Sequence, residues 1–379
     1  MHVSIIILNL NGLPYILQCL DSVAKLSGPR ADREVLVIDN GSTDGSLSVI
    51  AKTFPWARII PLGKNTGFSF AANHGASLAT GDILVFLNND IRVTATWLTE
   101  LIAPIEQGRA DATSAKMFMM DGKRLNFGGA GMNIHGIGFQ QGFEQPDGPA
   151  FSKEKDILFA CGGAMAVTRD VFKKCKGFDQ RFFAYYEDVD LGWRMWLLGY
   201  TVRYAPAAVC FHHHSATSAK VSVAKLRVLH IRNPLYMLVK NIGKEHFSPF
   251  VLFALLVSLE RTRLLSTIDR SSFDILCRDF KQAPWWRRLL RGRKERMEVD
   301  ALSLSDTVAY TDLARELPEL LAERAWIQQQ RKRPDTAVFA LLKQPFWMVE
   351  ADPHYHTVFQ TLRRFLRLDD YLPGGGHEA

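Results

Sequence analysis

Residues 81–90 read Gly-Asp-Ile-Leu-Val-Phe-Leu-Asn-Asn-Asp, an apolar run that stops in two amides and a carboxylate. Such a run suits a strand covered on both faces, and the carboxyl ends of these strands are where open α/β sheets bind ligands. Asp90 is therefore expected either to hold a metal ion or to cap a helix over 94–102. A second acidic cluster follows at Glu187-Asp188-Val189-Asp190. Three carboxylates so close together repel one another unless a cation, a helix terminus or a substrate compensates. Capping by Asp188 or Asp190, ahead of a helix at 191–198, is the plain structural alternative. Three histidines, His212, His213 and His214, close an apolar strand at 207–211. They could be merely solvated, but a mixed carboxylate and imidazole set suits Mg2+ or Mn2+ better than zinc.

Near the front, residues 37–46 read Val-Ile-Asp-Asn-Gly-Ser-Thr-Asp-Gly-Ser. Asp, Asn, Gly and Ser favour turns, so the composition alone predicts only a loop. Its position at the carboxyl end of an early strand is where a nucleotide would bind, and Asp39 could accept the N–H of uracil, thymine or guanine.

The elements that must position these groups alternate. Strand patterns at 3–8, 34–39, 57–62 and 83–87 are separated by helical patterns near 13–26, 46–54 and 70–79. This predicts an α/β fold with a mostly parallel sheet and helices on both faces. Glycine-rich residues 117–149 read as loops and short hairpins. A second ordered block at 156–214 holds an apolar strand at 157–159, the Gly162-Gly163 break and the 191–198 helix, whose Leu191, Met195 and Leu198 face a core. Beyond Ser215 the patterns are helical, at 221–240, 249–265, 313–333 and 357–368. Two domains are expected, 1–219 and a basic, mainly helical 220–379.

The chain has 379 residues, 47% of them hydrophobic, enough for a substantial core. Its five cysteines show no close pairing, so reduced thiols are expected, with no disulfide and no zinc site. The apolar run at 3–8 is too short for a secretion signal, and that at 250–259 falls short of the roughly 20 residues of a membrane span. From Ser215 to Asp300, Lys and Arg outnumber Asp and Glu by 17 to 8, giving this stretch +9 against +7 for the whole chain. Nucleic acid, anionic lipid and a solvated face all fit that bias. Neither Gly-x-Gly-x-x-Gly after the first strand nor a phosphate-loop motif occurs, which disfavours dinucleotide and phosphate-loop enzymes.

Taken together, the motifs at 37–46, Asn65-Thr66-Gly67-Phe68, Ala72-Asn73-His74-Gly75, Leu87-Asn88-Asn89-Asp90, Cys161-Gly162-Gly163-Ala164, Gly177-Phe178-Asp179 and 183–194 resemble those of the inverting family 2 glycosyltransferases of GT-A fold. The branch that adds rhamnose and related sugars to bacterial surface polysaccharides is the most similar. The resemblance covers about residues 3–240 and implies a nucleotide-sugar donor, a glycan or lipid-linked acceptor, and Mg2+ or Mn2+. Asp39 then looks like the base-holding residue, with Asn9, Asn65, Gly67, Asn73, Asn88 and Asn89 around the rest of the donor. Asp90 resembles the last acid of an Asp-x-Asp element, and His212 or His214 the histidine that completes the metal shell. Asp188, beside Glu187, resembles the catalytic base, while Gly162, Gly163, Asp190 and Trp193 would face the acceptor.

Asn88 stands where the family carries its first Asp, so metal affinity without nucleotide should be weak. The Gln-x-x-Arg-Trp element of processive synthases is also missing, since Gln282 is followed by Ala-Pro-Trp-Trp. Addition of one or a few sugars is expected, in the cytoplasm, with no nucleic-acid partner. Trp285, Trp286 and the basic residues after them suggest peripheral contact with the anionic inner face of the membrane. A non-catalytic sugar-nucleotide-binding protein and a nucleotidyltransferase are the competing readings; the latter would need a basic glycine-rich loop that residues 9–14 lack. Neither donor sugar nor oligomeric state is encoded in these motifs.

Overall fold

A computed structural model of the chain describes residues 1–28, 32–213, 222–266 and 301–372. The first half runs β1 (Val3–Asn9), α1 (Leu13–Ala24), β2 (Arg33–Asp39), α2 (Ser46–Thr53), β3 (Arg58–Pro61), α3 (Phe68–Leu78), β4 (Ile83–Asn88), β5 (Ile91–Val93) and α4 (Trp97–Glu106). It continues through β6 (Ala112–Met119), β7 (Leu125–Phe127), β8 (Ala130–Met132), β9 (Gly138–Gln140), β10 (Lys155–Asp156), β11 (Ala164–Thr168), α5 (Arg169–Lys174), α6 (Glu187–Leu197) and β12 (Val202–His212). Helices α7 (Val223–Asn241), α8 (Lys244–Leu265), α9 (Ala301–Gln330), α10 (Asp335–Phe339) and α11 (Pro353–Phe365) follow.

The main sheet has the order β10-β12-β6-β11-β4-β1-β2-β3. β1 to β4 pair in parallel, whereas β11 runs antiparallel between β4 and β6. The central strands β1 and β4 are buried on both faces, which is why their sequences are continuous apolar runs rather than alternations.

Register brings the candidate residues to one edge. Asn9 pairs with Asp39 and Leu8 with Asn88, so β1, β2 and β4 finish level. Ala164 lies opposite Leu87, which puts Gly162 and Gly163 just beyond the end of β4. His212 lies opposite Ile91, the residue after Asp90.

Several expected boundaries move. Residues 157–159 are not a strand but an irregular buried segment beneath α6; they are apolar because a helix rests on them. A Cβ at Gly192 would stand 2.5 Å from the Leu158 carbonyl oxygen and 2.6 Å from the Phe159 Cα, so only glycine permits that approach. Helix α6 starts at Glu187 rather than at 191, and the acidic cluster forms its first turn, where the helix dipole favours negative charge. Helix α4 starts later than expected, at Trp97, and α9 earlier, at Ala301. The boundary expected near 219 lies outside the described residues. Across it, α7 packs on α6, and side chains of both halves share one hydrophobic core.

Candidate active site

Four segments meet at the carboxyl edge of the sheet. The Gly162-Gly163 turn links two of them. A Cβ at Gly163 would lie 3.1 Å from Asn88 Nδ2, and one at Gly162 would lie 3.6 Å from the Asp188 Cβ. The Asn88 N–H donates to the Gly163 carbonyl at 2.9 Å, and the Gly162 N–H donates to Asp188 Oδ2 at 2.9 Å. One two-residue turn thus ties the end of β4 to the start of α6, and Asp90 and Asp188 belong to a single edge of the molecule.

Asp188 is half-buried and its other oxygen accepts from the Val189 N–H at 2.8 Å. Burial pushes its carboxyl above the usual Asp range despite these two backbone donors. Glu187 is raised further, by burial and then by the Asp188 charge, and its Oε2 has no hydrogen-bond partner among the described residues. Two adjacent carboxyls in so dry a site share their charge unequally. Burial therefore disfavours charge on both carboxyls, more strongly on Glu187, which also feels the Asp188 charge.

Asp90 is buried, with its Oδ1 3.3 Å from His212 Nε2. Burial alone would raise the Asp90 carboxyl, but the hydrogen bond and charge of His212, helped by His213, outweigh it and hold the group below the ordinary range. The other ring nitrogen of His212, Nδ1, lies 2.9 Å from Asn126 Oδ1. With that oxygen accepting, Nδ1 carries a hydrogen, and Nε2 faces the Asp90 carboxylate, to which it donates when it carries a proton and beside which it can ligate a metal ion when it does not. His213 turns away: its ring packs on Tyr15 at 4.8 Å and Nε2 lies 3.2 Å from Gln18 Oε1. His214 lies outside the described residues.

On the β2 side, Asp39 is buried. Its Oδ1 accepts from Asn9 Nδ2 at 3.0 Å, and its Oδ2 accepts from the N–H groups of Gly41 and Ser42. Oδ1 retains a second lone pair. Asn65 Oδ1 accepts from the Gly67 N–H and from Asn40 Nδ2, and Asn40 Oδ1 in turn accepts from the Thr66 N–H and hydroxyl. Asn40 therefore ties the two loops expected to touch the donor. It stands in the turn run at 37–46, but nothing in its spacing distinguished it.

Five expectations are corrected by burial or by hydrogen bonding within the protein. Asn9 is fully enclosed: its amide nitrogen donates to Asp39, Ser42 and Ser46, and its oxygen accepts from Asn89. It braces the strand ends and has no surface for a donor. Asn73 uses both ends of its amide on the Phe178 backbone, at 2.7 and 2.9 Å, and shapes that loop. Asp190 is fully buried and bonded to Arg194, Lys240 and Asn241, so it is a structural anchor rather than an acceptor contact. Trp193, 1% exposed, is core. Asn89 is also nearly enclosed, its amide donating to Asn9.

The loop before Glu187 is strained. Phe183, Tyr185 and Tyr186 have φ of 62°, 66° and 70°, a left-handed conformation that costs a residue with a side chain about 1–2 kcal/mol. A Cβ at Gly67, itself at φ 82°, would stand 2.6 Å from the Phe183 ring and its carbonyl oxygen. The loop thus closes against the start of α3.

Comparison with known proteins agrees with this architecture. Residues 4–176 match the model of glycosyl transferase family 2. O-antigen biosynthesis protein RfbC of Myxococcus xanthus is 28% identical over 193 residues, which is 48% of this chain but 15% of that protein. N-acetylglucosaminyl-diphospho-decaprenol L-rhamnosyltransferase of Mycobacterium tuberculosis is 26% identical over 236 residues, 55% of this chain and 76% of the relative. The crystal structure of GalNAc-T7 with UDP, GalNAc and Mn2+ shares the fold, with a TM-score of 0.56 at 16% identity over 84% of this chain and 57% of that one. Residues 4–176, a little under half of the chain, thus form a glycosyl transferase family 2 domain.

Proposed function

We propose that the chain moves a sugar from a nucleoside-diphosphate sugar to a hydroxyl of a glycan or lipid-linked acceptor, inverting the anomeric carbon. The observation that carries this reading is the tie from Asn88 through Gly163 and Gly162 to Asp188, which sets a poised carboxylate beside the strand end bearing Asp90. Asp188 accepts the acceptor hydroxyl proton as that oxygen attacks the anomeric carbon. The bond to the diphosphate breaks, and its electron pair leaves with the nucleoside diphosphate. In this reading 1–219 is the catalytic domain and 220–379 a helical domain bound to it.

Asp90 and His212 fit a Mg2+ or Mn2+ ion, because their donor atoms converge and Asn126 orients the imidazole. Among the described residues no group of three or more His, Cys, Asp or Glu could hold a metal. A two-donor set leaves coordination positions for diphosphate oxygens, so ion and nucleotide should bind together. When bound, the ion would neutralise the departing diphosphate. Asp39 would accept the imide N–H that uracil and thymine share, which favours a UDP- or dTDP-sugar such as dTDP-rhamnose. The names of the two bacterial relatives support a role in surface polysaccharide synthesis.

A thermal-shift panel of nucleoside diphosphates tests the donor site. UDP or dTDP with Mn2+ should raise the unfolding midpoint, by the equivalent of about 2.7 kcal/mol at a hundredfold excess over Kd, and either component alone should do much less. A panel in which no nucleotide shifts the midpoint with Mn2+ would remove the reading.

The reaction belongs in the cytoplasm, with the helical domain resting on anionic membrane. No helix among the described residues is long and apolar enough to cross a bilayer. Support for surface contact comes from the +9 stretch and from Leu252 and Leu259, exposed and seven residues apart on α8. The Trp285-Trp286 segment lies outside the described residues. Phosphatidylglycerol vesicles should sediment the protein at low salt and release it at high salt, each basic residue contributing about 1 kcal/mol. Failure to sediment at any salt would exclude the contact.

A further inference from the structure

The left-handed run at Phe183, Tyr185 and Tyr186 contains no glycine, and such conformations persist only where the surroundings over-determine them. Here the constraint comes largely from one side chain of α7. Asn233 is fully buried, and its Nδ2 donates to the carbonyl oxygens of Phe182 at 3.1 Å, Ala184 at 3.0 Å and Tyr185 at 2.8 Å. Its Oδ1 accepts from Arg232 Nε at 3.2 Å. Arg232 in turn reaches Asp312 on α9 and the Arg181 carbonyl. This network fixes the orientation of the amide, since only an NH2 group can meet three carbonyls and only the oxygen can meet a guanidinium.

On its other side the loop meets α3, where the Ser69 N–H donates to the Phe183 carbonyl at 3.3 Å. The run is therefore held between α3 and α7. Tyr186, at its end, is the N-cap of α6, and Glu187 and Asp188 are the next two residues. Any rotation of the loop swings the first turn of α6.

We infer that Asn233 is a positioning residue for sugar transfer: by holding the carbonyls of residues 182, 184 and 185 it sets the direction in which Asp188 leaves α6. The inference rests on the proposed role of Asp188. It gives the helical domain a part in the reaction, because α7 completes the support of a site whose chemistry lies before residue 214.

The test uses the full chain carrying Asn233→Asp, which keeps the size of the side chain but has no N–H to donate. Turnover should fall on the order of 10²-fold, the usual effect of a misplacement near 1 Å, with donor KM nearly unchanged and the acid limb of the pH–rate profile displaced. Tyr185→Gly supplies a second reading, because glycine adopts the left-handed conformation without support. Removing the Asn233 amide should cost less in that background than in the wild type. The inference is overturned by a folded Asn233→Asp protein with wild-type turnover and pH profile, or by an equal loss in both backgrounds. It is also overturned if Asn233→Asp and Asn233→Ala both fail to fold, which would assign the residue to core stability. Asp188→Asn, assayed alongside, separates the two ideas: if it stays active the base assignment falls, and if it alone is inactive only the Asn233 inference falls.

Discussion

Asp188→Asn should lower turnover by roughly 10² to 10⁴, the usual contribution of general base catalysis, while the Kd for nucleotide with Mn2+ changes little. The substitution keeps the shape of the side chain and its amide oxygen can still accept from the Gly162 N–H, so the turn joining β4 to α6 should survive. The pH dependence gives a second readout. Burial raises the folded-state pKa of Asp188, so the base stays protonated to a higher pH than an ordinary Asp at about 3.9. The kcat/KM of the wild type should therefore climb with pH along a limb displaced upward, and the residual activity of the variant should lack that limb. Stability moves the other way. A carboxyl whose pKa is raised on folding stabilises fully below its unfolded pKa and loses that contribution as pH rises through the folded value. At neutral pH the Asp188 charge is thus a cost set by burial, and the Asn variant should melt no lower than the wild type. An active variant, or one that also loses nucleotide binding, would show that Asp188 is not the base.

The placement of the candidate site was legible where its residues lie at strand ends. The stop from Phe86-Leu87 into Asn88-Asn89-Asp90 marks where β4 leaves the core, and His212 marks the same depth on β12, so two distant segments meet through sheet register alone. What was not legible concerns amides. An Asn that contacts a substrate and an Asn that braces backbone look identical in sequence, which is why Asn9 and Asn73 are expected at the donor and are found bonded to the protein itself. Asn126 and Asn233 went unnoticed for the same reason: their partners are set by tertiary packing, and no local spacing encodes them. Asp190 shows a further limit. Its place in an acidic cluster suggested substrate chemistry, yet the cations that neutralise it are Arg194, on its own helix, and Lys240, on a helix fifty residues away.

Lys240→Met should destabilise the protein by about 3 kcal/mol, the lower end of the range for breaking a buried ion pair. Lys240 is fully buried, and its Nζ donates to Asp179 Oδ2 at 2.5 Å and Asp190 Oδ2 at 2.9 Å, joining the approach to α6, α6 itself and α7. Methionine can replace the aliphatic stem but leaves two carboxylates without their shared cation. Arg181 still pairs with Asp179, and Arg194 and Asn241 with Asp190, which is why the upper end of that range is not expected. The pH dependence carries the sign. Burial would raise the Asp179 carboxyl, but Lys240 and Arg181 hold it far below the usual range. Its contribution is present above the unfolded pKa of about 3.9 and is lost as pH falls through the folded value. Removing Lys240 lifts that folded value, so acid unfolding of the variant should begin at a higher pH than in the wild type. Urea unfolding at neutral pH and an acid titration followed by circular dichroism measure both effects. Adding Asp179→Asn to Lys240→Met removes one stranded charge and should recover part of the loss. A single variant as stable as the wild type would mean that apolar packing, not this cation, holds α7 against α6.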